Sequence, residues 1–256
     1  MSNDNYIETE ERLKRLKDVD LDKLLNINEN RKKNNLGMYR MNCLVVGKTG
    51  SGKTTMLLKM LLSDVIDDFK LLIFIIPRES LESGFYRSLN QSKERLNKII
   101  FFIIIGEDDL PTIEEINQIS RMIKKPIAII LDDFINAFGK PSSTNWLVFK
   151  RYITQLSRIQ YGCSLFVLTQ NLHQFETTYR KNFNSFICFV NSLTQRQFKD
   201  IITSYYDYGD FTETQVKQLF NLFKNSLHTP LILLNNGDPE HSMIYESEYI
   251  NPNELF

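Results

Sequence analysis

Short, continuously apolar runs alternate along the chain with longer stretches whose apolar residues recur every three or four positions. Six runs read as buried strands: NCLVV (42–46), LLIFII (71–76), IIFFIII (99–105), IAIIL (127–131), SLFVL (164–168) and FICFV (186–190). Helical periodicity follows most of them, near 53–63, 80–90, 112–124, 144–160, 174–181 and 194–206. A strand that is apolar at every position must be covered on both faces, and interleaving with helices implies parallel pairing through crossover connections. The expected fold is α/β, a mainly parallel sheet with helices on both faces. From about residue 212 the pattern changes to a helix (TETQVKQLFNLF), a strand (PLILL), an NNGD turn and a last short strand near MIY, a small C-terminal helix-hairpin appendage.

Residues 1–38 are polar and mixed in charge, with Leu13, Leu16, Leu21, Leu24 and Leu25 as a weak apolar stripe. They read as a solvated arm, the alternative being a strap that docks on a neighbouring subunit. The expected division is an arm over 1–38, a core over 39–210 and the appendage over 211–256.

Composition narrows the partners. The 256 residues carry 31 basic and 31 acidic side chains. That balance argues against a freestanding cationic nucleic-acid binder, so any DNA contact must rest on local patches. Cys43, Cys163 and Cys188 lie in or beside apolar runs without CxxC spacing, as buried free thiols of a reducing compartment would. No apolar run approaches the ~18–20 residues that span a membrane, and the first residues lack the apolar region of a signal peptide. A soluble intracellular protein is expected.

The stretch CLVVGKTGSGKTTMLLKML supplies the first chemistry. Gly47-Lys48-Thr49-Gly50-Ser51-Gly52-Lys53-Thr54 is a complete Walker A pattern between a strand and a helix. Its glycines let backbone N–H groups turn inward on an anion, and the helix N-terminus adds its dipole. Lys53 would reach the β- and γ-phosphates of ATP, Thr54 would ligate Mg²⁺, and Thr55 could touch the α-phosphate.

Such a site needs an acid at a strand tip to hold the metal's water shell. Two stretches compete. In IIFFIIIGEDDLPTIEE, Gly106 and Glu107 separate the strand from Asp108 and Asp109, and Thr112 with Glu115 forms a capping box, so these acids read as helix-entry residues. In IAIILDDF, Asp132 follows the strand directly and is favoured as the metal-site acid. Asp133 would then face the attacking water, which argues for hydrolysis. The strand SLFVLT ends on Gln170, an amide able to orient that water and sense the γ-phosphate.

Walker A, the strand ending in Asp132-Asp133, Arg158 four residues before Gly162, and Thr169-Gln170, in this order, resemble the FtsK–HerA superfamily of ring-forming DNA translocases. Within it the likeness is to poxvirus-type genome-packaging ATPases, with relatives in giant viruses and virophages. It runs from about Met41 to Leu193 and includes YRKNFNSFICFVNS. The resemblance implies a P-loop NTPase of the RecA-like/ASCE type. It implies Mg²⁺-dependent ATP hydrolysis between subunits of a homo-oligomeric ring, double-stranded DNA in the channel and capsid proteins as further partners. The place of action would be host cytoplasm, viral factory or virion. Arg158 is then the first candidate for an arginine finger, Arg180 the second and Arg151 a distant third. One departure stands out: much of the superfamily carries Glu where this chain has Asp133.

For DNA contacts the candidates are GKPSSTN (139–145) with Lys140, then Lys150, and the basic stretch RSLNQSKERLNK (87–98); plain surface is the favoured reading of both stretches. His173, His228 and His241 show no metal spacing. Two other readings remain open: a nucleotide-gated assembly or scaffold protein, and a cellular or conjugative translocase.

Overall fold

A computed structural model describes residues 40–62, 69–92, 98–138, 142–206, 211–226, 228–234, 243–245 and 248–250. The arm over 1–38 and Lys140 lie outside these residues.

The six apolar runs form the parallel strands β1 (Asn42–Val46), β2 (Leu71–Ile76), β3 (Ile99–Ile104), β4 (Ile127–Leu131), β5 (Cys163–Thr169) and β6 (Ser185–Cys188). The tail adds β7 (Leu231–Leu234), β8 (Met243–Tyr245) and β9 (Glu248–Ile250). Among the described residues all belong to one sheet, in the order β3-β2-β4-β5-β1-β6-β7-β8-β9. Pairing is parallel from β3 to β6 and antiparallel from β6 to β9. The hairpin expected as an appendage therefore continues the central sheet.

Between the strands run α1 (Lys53–Leu62), α2 (Arg78–Leu81), α3 (Gly84–Ser92), α4 (Ile113–Ile123), α5 (Phe134–Ala137), α6 (Thr144–Gln155), α7 (Thr177–Arg180), α8 (Gln195–Tyr205) and α9 (Glu213–Phe223). Capping boxes start α4 at Thr112, α8 at Thr194 and α9 at Thr212, each satisfying two otherwise orphaned N–H groups. The single helix expected over 144–160 ends at Gln155 and tightens into a 3₁₀ turn over Leu156–Arg158.

Alternation along each strand explains the continuous apolar runs. Leu44 and Val46 join one core with Ile73, Ile129, Leu165 and the inner faces of α4, α6, α8 and α9. Cys43 and Val45 join the other with Phe74, Ile130 and Phe166, capped by Leu57 of α1 and by Tyr86 and Leu89 of α3. Each large side chain so buried stabilises the fold by about 1.5–3 kcal/mol. The three thiols are free and buried, and burial pushes each above the ordinary cysteine range.

β3 departs from expectation. It is the outermost strand, and Ile99 and Phe101 are 43% and 61% exposed. The crossover helix α4 packs beside α6. Among the described residues no helix is long and apolar enough to cross a membrane.

Candidate functional site

β1 ends at Val46, and the chain turns through Gly47–Gly52 into α1 at the carboxyl rim of the sheet. Val46 pairs with Thr169, and the Gly47 N–H donates to the Thr169 carbonyl at 3.1 Å. On the other side the Lys48 N–H donates to Ser192 Oγ at 3.1 Å, just after β6. The loop is thus slung between the ends of β5 and β6. Gly50 and Gly52 take φ of 76° and 101°, which L side chains rarely adopt. At Gly47 a Cβ would come within 2.5 Å of Ser51 Oγ. Ser51 Oγ is itself buried without a hydrogen-bond partner among the described residues.

Lys53 opens α1, and its buried ammonium donates to the Gly47 carbonyl at 2.7 Å and the Lys48 carbonyl at 3.0 Å. Burial holds this group below the usual lysine range, against the opposing pull of Asp132 and Asp133. The Thr54 hydroxyl donates to Asp132 Oδ2 at 2.9 Å. Asp132 directly follows β4 and is 4% exposed. Burial pushes its carboxyl above the ordinary aspartate range; hydrogen bonds from Tyr86 and Thr54 and the charge of Lys53 oppose the rise, while Asp133 adds to it.

Asp133 stands at the N-terminal boundary of the single turn of α5, without a side-chain capping bond, at φ 52° and ψ 21°, a left-handed conformation that Asp tolerates better than most residues. Its side chain is exposed. Gln170, also exposed, follows Thr169 and so occupies the same rim beside the loop. The structure therefore bonds Thr54 directly to Asp132, sets the Lys53 ammonium where it feels the charges of Asp132 and Asp133, and leaves Gln170 at the same rim. Lys48, Thr49, Gly50 and Thr55 lie exposed on the loop and the start of α1.

The rival acids stand elsewhere. They follow β3, which β2, β4 and β5 separate from β1. Glu107 pairs with Arg78, Asp108 Oδ2 accepts from the Ile104 N–H at 2.6 Å, and Glu115 completes the capping box at Thr112. These are local structural uses.

Among the described residues none of the three arginines hydrogen-bonds to the loop. Arg158 is exposed in the turn before β5, whose first residue pairs with Ile127 at the amino rim. Arg180 lies just before β6, which starts opposite Cys43, and its guanidinium is held 3.7 Å from Asp200 and donates to Thr177 Oγ1 at 2.9 Å. Arg151 faces Glu114 at 3.5 Å. Among the basic candidates, Lys150 sits 5.2 Å from the Tyr179 ring centre, Lys98 donates to the Phe69 carbonyl, and Arg87 donates to the Glu82 carbonyl.

Two contacts were not legible beforehand. Tyr86, on α3, donates its hydroxyl to Asp132 Oδ2 at 2.6 Å. His228, before β7, places Nδ1 3.2 Å from the Ser51 carbonyl oxygen. Neither residue belongs to a spacing that announces such a contact.

The residues present fit a magnesium-bound nucleoside triphosphate. The orphaned Ser51 hydroxyl, the glycine cradle and the Lys53 ammonium suit phosphate oxygens. Thr54 donates its proton to Asp132, so its lone pairs stay free for a cation. A hydroxyl and one carboxylate are hard oxygen donors, and Mg²⁺ characteristically takes few protein ligands and fills its shell with phosphates and waters. Among the described residues no group of three or more His, Cys, Asp or Glu could hold a metal of another kind.

The model of the family described as "Poxvirus A32 protein" matches residues 28–226. Solved structures of the genome-packaging NTPase B204 from Sulfolobus turreted icosahedral virus 2 share this fold. The complex with ATP-gammaS is 13% identical at TM-score 0.50, covering 83% of this chain and 99% of B204. The AMP complex is 15% identical at TM-score 0.53, covering 81% and 96%. B204 of Sulfolobus turreted icosahedral virus, described as its DNA-packaging ATPase, is 15% identical at TM-score 0.53, covering 80% and 96%. No curated protein sequence matches.

Proposed function

Because the chain belongs to the poxvirus A32 protein family, we propose that it is an ATP-driven double-stranded DNA translocase that packages a viral genome into a capsid. ATP is hydrolysed between subunits of a homo-oligomeric ring, in the host cytoplasm or viral factory, with capsid proteins as docking partners. The observation that carries this reading is the hydrogen bond from Thr54 to Asp132 at the rim where Lys53 opens α1, with Asp133 and Gln170 beside it. The structural likeness to B204, itself a packaging NTPase, points the same way.

Bound Mg–ATP supplies the phosphoryl group and a divalent charge that offsets the phosphate oxygens. The chain does the rest. Lys53 exchanges its loop carbonyls for phosphate oxygens, while Thr54 and Asp132 orient the metal's shell. Asp133 and Gln170 hold the attacking water in line, Asp133 accepting its proton. Arg158 serves the site of the adjoining subunit, with Arg180 as second candidate once it leaves Asp200. Closure of the interface on ATP and its release after hydrolysis would move DNA-facing loops along phosphates rather than bases.

The deciding experiment is ATP turnover with and without double-stranded DNA, alongside the mass of the assembly. Stimulation by duplex DNA in a ring-sized particle is expected. Unchanged turnover, with ATP still driving self-association, would replace the translocase by a nucleotide-gated scaffold.

Asp133→Asn tests the water-positioning role within this scheme. It should lower turnover by about 10²–10⁴-fold, the usual worth of a positioned general base. Titration with a fluorescent nucleotide should show affinity retained, because among the described residues Asp133 makes no hydrogen bond to the loop.

A further inference from the structure

Asp132 is a carboxylate almost without solvent contact, and burying such a group is costly unless donors surround it. Two hydroxyls converge on one of its oxygens: Thr54 at 2.9 Å and Tyr86 at 2.6 Å, both on Oδ2. Thr54 belongs to the phosphate loop's own helix. Tyr86 comes from α3, in the separate crossover between β2 and β3.

The tyrosine has little freedom. It is 4% exposed. Its ring packs edge-on against Phe74, Phe85 and Phe102, with centroids 5.8, 5.2 and 6.2 Å away. Burial, then the charge of Asp132, raises its phenol well above the ordinary tyrosine range, so it remains a donor. A ring clamped on three sides presents its hydroxyl to one place only.

We propose that Tyr86 is a positioning residue of the nucleotide site: its buried hydroxyl fixes the Asp132 carboxylate in the rotamer that shares Oδ2 with Thr54, leaving Oδ1 for the water shell of the metal. The inference rests on the reading of Lys53, Thr54 and Asp132 as a magnesium–triphosphate site. Partners of metal-site groups commonly tune metal affinity by 10–100-fold, because they hold the ligand's orientation. Placing that partner on α3 also means that a shift of this helix is felt at the metal-site acid.

Tyr86→Phe deletes the hydroxyl and keeps the ring packing. Binding of a fluorescent ATP analogue, measured in EDTA and across a Mg²⁺ titration, isolates its role. The expected result is a Mg²⁺ requirement raised about 10-fold, with affinity in EDTA within twofold of the unaltered protein. An unchanged Mg²⁺ titration overturns the proposal, and so does an equal loss in EDTA and in Mg²⁺, which would mark a merely structural tyrosine.

Asp132→Ala separates this proposal from its premise. If that variant keeps the full magnesium effect, the metal-site reading itself fails; if it loses the effect while Tyr86→Phe keeps it, only the tyrosine's role fails. A metal-free measurement covers the case of a poorly folded variant. Urea midpoints of Tyr86→Phe, Asp132→Ala and the double variant should combine non-additively, and additive midpoints would count against the contact.

Discussion

Arg158→Ala is expected to lower ATP turnover of the assembled protein by about 10³–10⁵-fold, the contribution of an arginine finger in other NTPases. Nucleotide affinity should change little. The guanidinium is exposed at the rim opposite the loop of its own subunit, so it can meet a triphosphate only across an interface. Steady-state turnover checks the first part. Mixing checks the second: Arg158→Ala subunits keep intact loops, and Lys53→Ala subunits keep intact arginines. Rings made from both should recover part of the activity that neither has alone. Intact mixed rings with no recovery would remove Arg158 from the site and move attention to Arg180.

The second large effect is expected at Lys53. Lys53→Ala should weaken ATP binding by about 10²-fold, since hydrogen bonds to charged groups contribute about 1.5–3 kcal/mol each, and turnover should vanish with it. A fluorescent-nucleotide titration gives the first number and a phosphate-release assay the second. The effect falls on the ligand more than on the fold. In the protein alone Lys53 bonds two carbonyls of its own loop, and its burial already opposes its charge. Affinity within a few-fold of the unaltered protein would mean that the loop binds phosphates through backbone groups alone.

Much of the site could be read from the residue order because its chemistry is local. A glycine loop between a strand and a helix is specified by adjacent residues, and Asp132 and Gln170 mark strand ends directly. That Thr54 would touch Asp132 needs one further fact, the placement of β5 between β1 and β4, which no single run of residues states. Tyr86 was illegible for a physical reason: an aromatic at helical spacing reads as core packing, and its ring does pack in the core. Only the hydroxyl leaves that role.

The fold divides in the same way. Runs such as LLIFII and IAIIL became strands with the expected bounds. IIFFIII looked equally buried, yet an apolar run carries no mark of being outermost, and Ile99 and Phe101 remain open to solvent. The tail's helix and the strands β7 and β8 are visible in the pattern, but β9 and the partner of β7 are not. Strand pairing with β6 is a long-range choice that no local pattern encodes.

That pairing has a consequence for where the chain can be cut. β7 supplies the hydrogen-bonding neighbour of β6, and β6 in turn flanks the strand from which the glycine loop springs. A truncation ending ahead of Leu231 would strip β6 to a bare ladder, inviting sticky cross-chain pairing one strand away from the glycine loop.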